Sequence, residues 1–265
     1  MSLPHYLIRA HSESERLGAE SIAAIEASEA LTFHAHAIER TANLLYFFGH
    51  DGEIKNPDDR VIRVLGFRGF NDIMTSANLI LGGYCQQSMM IARDLLELTF
   101  LFDDFTRDKS QINKWHTLAP KDYDKIFKPV LVRDRLDQRD GFTGLKRAEI
   151  YKLMSSVAGH PSPAGFQMLL RQDGNYHCGP FFEAKSLDAC WSELAKTAIQ
   201  IGGHFQEFFD LTSKEAVIAK VEYLELQNKW IERFFGTAPF DLTKIAELHA
   251  LADRLPDDMP AKNKT

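Results

Sequence analysis

The sequence predicts an all-α fold, an antiparallel helical bundle with a small β-hairpin inserted near residues 166–181. Three observations lead there. Apolar residues recur at a period near 3.6 through most of the chain. Helix starts and stops are marked by capping residues, Pro and Gly. A single stretch, "FQMLLRQDGNYHCGPFF", sets a turn dipeptide between β-compatible runs.

The elements follow in order. "SIAAIEASEALTFHAHAIERTANLLYFF" reads as one long helix, with Ile22, Ile25, Leu31, Ile38, Leu45 and Phe48 on its apolar side. Gly49 and "HDGEIKNP" end it. Asn56 then caps a second helix, with Pro57 at its first position and Asp58 and Asp59 complementing the dipole. That helix runs to Gly82-Gly83, and Gly66 and Gly69 inside it allow another helix close. A third spans about Cys85 to Phe105. "SQINKWHTL" is short and ends before Pro120, and "KDYDKIFKPVLVRDRLD" is broken at Pro129. "LKRAEIYKLMSSVAG" ends at Gly159, with Pro161 blocking continuation. Asp173-Gly174 then suits a two-residue hairpin between 166–172 and 175–181. Two strong amphipathic helices follow, capped at Ser186 and Ser213, and Pro239 opens a shorter last one. No repeat or Pro/Gly/Ser-rich linker divides the chain. We therefore expect one domain over 1–256 and a flexible polar tail over 257–265.

The bulk composition bounds the function. With 265 residues, 45% hydrophobic and 26% charged, the chain has the make-up of an ordinary globular protein. A net charge of −6 gives no global attraction to phosphate backbones. Cys85, Cys178 and Cys190 are too few and scattered for a disulfide framework, which points to a reducing cytoplasm. No apolar run reaches the roughly 20 residues of a membrane span, and the first residues lack a secretory pattern.

The third helix carries an unusual stripe. On a helical wheel Gln86, Arg93, Glu97 and Asp104 fall within roughly 40°. Met89, Met90, Phe100 and Leu101 flank them, and Ile91, Leu95, Leu98 and Phe102 lie opposite. A surface helix shows a broader polar face. Arg93 and Glu97, four apart, can pair. Either this strip reaches water or it is a buried charge pair lining a site, since buried charges persist with partners or a function. Downstream, Tyr151 and Ser155 share a helix face, and His160 lies past the helix end, where an imidazole can relay protons or cap the terminus.

"ARDLLE", Trp115 and then "YKLMSSVAGHPS" together resemble a pattern in uncharacterised bacterial helical proteins: an Arg-x-x-x-Glu helix, a Tyr-x-x-x-Ser pair and a downstream His. Those proteins are loosely similar to the higher-eukaryote-and-prokaryote nucleotide-binding (HEPN) superfamily, and the resemblance covers residues 75–165. It implies a metal-independent ribonuclease or a nucleotide-directed toxin or defence component, with Arg93, Glu97 and His160 catalytic and Tyr151 and Ser155 binding ligand. The superfamily's Arg-to-His spacing occurs at Arg171 and His177, but a hairpin there points the two side chains to opposite faces.

Other chemistries find no motif. No Glu-x-x-His or His-Glu-x-x-His occurs, so no metal or other cofactor is expected. "LGGYCQ" and "IGGHF" lack the phosphate-loop spacings. Phe-rich "HFQEFFDL" and "KWIERFFG" suit a core or a subunit interface. Three functions stand open: a ligand-responsive or protein-interaction module, an RNA-directed enzyme, and a scaffolding homodimer. The expected partners are a small ligand or RNA and a second copy, with no membrane.

Overall fold

Ser28 divides what the periodicity presents as one long helix. In the computed structural model, which describes residues 3–144, 146–237 and 242–256, α1 (His5–Glu26) stops there and α2 (Glu29–Asp51) begins. The Ser28 hydroxyl accepts the Leu31 N–H at 3.4 Å, a capping bond that outweighs the continuous apolar pattern. α3 (Pro57–Leu81) starts as expected: Asn56 and Asp59 form a reciprocal capping box, with Pro57 at the first position. α4 spans Cys85–Arg107. Short elements follow: α5 (Ser110–Thr117), α6 (Pro120–Tyr123), α7 (Pro129–Asp140) and α8 (Lys146–Met154). α8 runs into a π-helical turn, Ser155–Gly159, and then a 3-10 turn, Ala164–Leu169.

α9 (Ala184–Phe205) is capped by Glu183 rather than Ser186. A 3-10 turn (Gln206–Phe208) leads to α10 (Lys214–Phe235), which Ser213 caps through the Ala216 N–H. The last element among the described residues is α11 (Leu242–Arg254). Pro239 and the tail 257–265 lie outside the described residues.

α2, α3, α4 and α9 pack on one another, α10 lies on α2, and α11 on α10. Leu45, Phe48, Ile73, Leu95, Phe102, Leu194, Ile201 and Phe205 fill the centre and are essentially inaccessible. Gly66 and Gly69 let α9 close in: a Cβ at Gly66 would sit 2.5 Å from the Phe205 ring, and one at Gly69 would sit 3.0 Å from Ile201. Most of the Phe-rich residues pack against this interior, with Phe48 on Phe209 and Trp230 on Phe234 at 5.0 and 5.1 Å, while Phe235 is exposed. The two core indoles are matched. The Trp191 indole donates to Leu31 O at 3.1 Å, and the Trp230 indole to His34 Nδ1 at 2.9 Å. Burial lowers the His34 pKa, so this imidazole is a neutral structural acceptor.

The expected hairpin insertion is not present. Residues 164–169 form the 3-10 turn, and one isolated bridge, Leu170–Tyr176, replaces a ladder. Arg171 pairs with Asn175 across a three-residue turn, one residue off the expected register. Two local causes act. Ser162 accepts the Gly165 N–H and starts a helical turn where a strand was expected. On the other side Pro180 lacks an N–H and Gly179 takes φ +102°, so residues 175–181 cannot carry a ladder. No hydrogen bond or ion pair joins Arg171 to His177. The former lies 3.9 Å from Asp173, and the latter packs on Phe181. Among the described residues no helix is long and apolar enough to cross a membrane.

Candidate functional site

The charged stripe of α4 faces protein, not open water. Gln86, Arg93 and Asp104 engage the segment 110–169, which covers that side of the helix, and Glu97 pairs with Arg93 along α4. Gln86 donates from Nε2 to the carbonyls of Val157 and Gly165, both at 3.0 Å. Arg93 donates to the Tyr151 hydroxyl, and its guanidinium lies 4.6 Å from that ring's centroid. Arg93 Nη2 is 3.0 Å from Glu97 Oε1, an ion pair in which both side chains are about three-quarters buried. Asp104 accepts two bonds from Arg135, at 2.9 and 2.6 Å. A narrow polar seam on an otherwise apolar helix is therefore the surface on which α7, α8 and the π turn are seated.

Around Arg93 the seam is incompletely satisfied. Arg133 on α7 lies over the same ring, its guanidinium 3.9 Å from the Tyr151 centroid. It is 7% exposed. Its Nε and Nη1 have no hydrogen-bond partner, and it forms no ion pair among the described residues. Arg93 Nε, Asp137 Oδ2 and Ser155 Oγ are likewise buried and without a hydrogen-bond partner, and Glu97 Oε1 has only the Arg93 ion pair. Native interiors leave few such groups, and these gather where α4, α7, α8 and the π turn meet. The π turn itself places Ser155: a Cβ built on Gly159 would lie 3.7 Å from Ser155 Oγ and 3.6 Å from Arg93 Cδ. Single π turns recur at functional sites because they re-aim side chains.

Arg93, Glu97, Tyr151 and Ser155 are thus brought together. His160 follows Gly159 directly, and its side chain is exposed and makes no hydrogen bond or ion pair among the described residues.

A cavity of about 310 Å³ adjoins this cluster at Glu97. Its walls are apolar and aromatic: Leu65, Leu98, Phe100, Trp115, Tyr123 and Phe127. Arg68, Asp94, Glu97, Asp124 and Lys128 supply the charge. Trp115 is held by its indole N–H donating to the Tyr123 hydroxyl at 3.1 Å. Arg68 grips Asp94 Oδ2 with two nitrogens at 3.0 and 2.5 Å and stands 3.8 Å from Asp72. Burial, reinforced by the Asp94 charge, pushes the Asp72 carboxyl up to about 7.

That shift has a stability consequence. Unfolded, Asp72 ionises near 3.8; folded, it keeps its proton to about pH 7. Between those values the folded chain binds the extra proton, so stability falls as pH rises across the window. Asparagine cannot ionise and retains the hydrogen-bonding shape. We expect Asp72→Asn to be more stable than wild type by ~2 kcal/mol at pH 8, with the difference gone near pH 3.5. Denaturant titrations at the two pH values check this, and a pH-independent difference would contradict it.

Arg133, Asp72 and Asp94 escape sequence reasoning. "PVLVRDRLDQRD" is charged on every side, and nothing in it marks which arginine turns inward. The usable signal was the Asp103-Asp104 pair closing an apolar helix, since buried carboxylates demand cations elsewhere. Among the described residues no three His, Cys, Asp or Glu converge into a metal-binding group. No family model matches the chain, and comparisons with curated proteins and with solved structures yield no match.

Proposed function

We propose that this chain is a ligand-responsive module that takes a small molecule with an aromatic or branched apolar body and one polar end. The observation that carries the reading is the 310 Å³ cavity, in which an aromatic wall meets Glu97, Asp94 and Arg68. Concave apolar sites with a few convergent polar groups are where small ligands bind. The response would run through the segment 110–169. It supplies Trp115, Tyr123, Phe127 and Val132 to the cavity and holds to α4 largely through the polar seam. Filling the cavity would add apolar contact across that joint.

RNA cleavage, which the HEPN resemblance implies, needs an acid–base group against Arg93 and Glu97. His160 is exposed and unengaged there, so the geometry favours binding over proton transfer. A scaffolding homodimer has less support still, because all the Phe-rich residues but Phe235 pack against the interior.

The test is a thermal-shift panel of aromatic amines and aromatic acids on wild type and on Leu101→Trp, which puts an indole into the cavity. We expect compounds that raise the wild-type midpoint by several degrees and lose that effect in the variant. No effect from either class, or equal effects in both proteins, would contradict the proposal.

A further inference from the structure

We propose a second site, separate from the cavity ligand, in which Arg133 and Arg93 hold a small oxyanion beside Tyr151 and Ser155. Four observations point to it. Arg133 is 93% buried, by its 7% exposure, and carries a charge that no acidic group within ion-pair distance answers. Its orientation is set by the Tyr151 ring, 3.9 Å away, rather than by a carboxylate. A cation stacked on an aromatic face keeps its in-plane N–H groups free for an acceptor.

The nearby charges do not balance. Glu97 is committed to Arg93 at 3.0 Å. Asp137, one helical turn from Arg133, gives Oδ1 to Arg147 at 2.6 Å. Arg93, Arg133 and Glu97 together leave one positive charge at the junction. Ser155 then adds a buried hydroxyl with no acceptor, and the π turn brings it to the Gly159 backbone that also borders Arg93. Arg93 Nε, Arg133 Nε and Nη1 and Ser155 Oγ outnumber the unpartnered acceptor there, Asp137 Oδ2, and an excess of donors is complementary to an anion, which accepts only. A guanidinium binds a planar carboxylate and a tetrahedral phosphate equally readily by shape, so the shared chemistry is the oxyanion.

The experiment measures the unfolding midpoint against inorganic phosphate at constant ionic strength, with chloride as the balancing anion. It uses wild type, Arg133→Met and Ser155→Ala, and a parallel arm replaces phosphate with acetate. Phosphate also raises midpoints without binding, through exclusion from the surface, and that part is linear and common to all variants. Wild type is expected to show an additional saturable rise in one or both arms. Arg133→Met should lose it, and Ser155→Ala should need at least ~10-fold more anion, the loss of one charge-assisted hydrogen bond. Should Arg133→Met fail to fold, the Ser155→Ala shift decides alone. No saturable rise in either arm, or one that the variants leave unchanged, would overturn the site. Because the cavity residues are untouched, this failure is distinguishable from failure of the ligand reading.

Discussion

Asp103→Ala is expected to lower the unfolding free energy by about 3 kcal/mol, the cost of removing the carboxylate that ties a partly buried arginine pair to the core. Asp103 lies near the end of α4 and is almost wholly buried. It accepts two bonds from Arg139, at 2.8 and 3.1 Å, and stands 3.6 Å from Arg147. Both arginines also reach Asp140, and Arg147 reaches Asp137. Those contacts link α7 and α8 to each other, whereas Asp103 links them to the core. Arg139 is partly exposed and can turn to water, which keeps the figure near the lower end for a buried pair. The same loss should loosen the joint, so amide exchange across 129–154 should quicken more than that of α2 and α9. Urea denaturation measures the first effect. A loss below ~1 kcal/mol would place this network among screened surface pairs.

Gly66→Val is expected to cost about 3 kcal/mol or more, through overpacking. The first added carbon alone falls 2.5 Å from Phe205 Cε2 and 2.6 Å from Cζ. That ring is fully buried and wedged between Phe102 and Phe209, at centroid distances of 5.6 and 4.8 Å, so it has nowhere to retreat. Gly18, on α1, has no atom within 4 Å of a built Cβ and serves as the control. There alanine should stabilise by ~0.5–1 kcal/mol through helix propensity alone. Equal effects at the two positions would show that α3 and α9 are not in the contact described.

Much of the fold is legible in the sequence, for a physical reason. Where a single local bond decides, the residues announce it: Asn56, Pro57 and Asp59 declare the start of α3, and Ser213 that of α10. The break at Ser28 is missed because one hydroxyl cap is hidden inside an unbroken apolar period. The hairpin is expected from Asp173-Gly174, but a turn dipeptide makes a ladder only if both flanks can pair. Ser162 and Pro180 prevent that from outside the turn.

The site divides the same way. Arg93, Glu97, Tyr151 and Ser155 show themselves as polar residues at helical spacing on apolar or short helices. The structure puts them together through the α4 seam and the turn at Gly159. His160 lies beyond a π turn, whose wider winding changes the direction of all that follows, and spacing carries no information about that rotation. Arg133 and the Asp72–Asp94 pair come from packing between separate helices, which periodicity within one helix does not encode.

Trp115 gives the most direct measurement of the central claim, that an accessible ligand cavity lies between the core helices and the segment 110–169. It lines the cavity, whereas Trp191 and Trp230 are buried in the core away from it. Phenethylamine and phenylacetate share an aromatic body, carry opposite charges and do not absorb with indole. Titrating each while recording emission, and subtracting the same titration of Trp115→Phe, isolates this one side chain. The account predicts a saturable change in the difference signal with at least one of the two, and its loss in Leu101→Trp after subtraction of Leu101→Trp/Trp115→Phe. A difference signal that stays flat with both, or one that Leu101→Trp leaves intact, would contradict it.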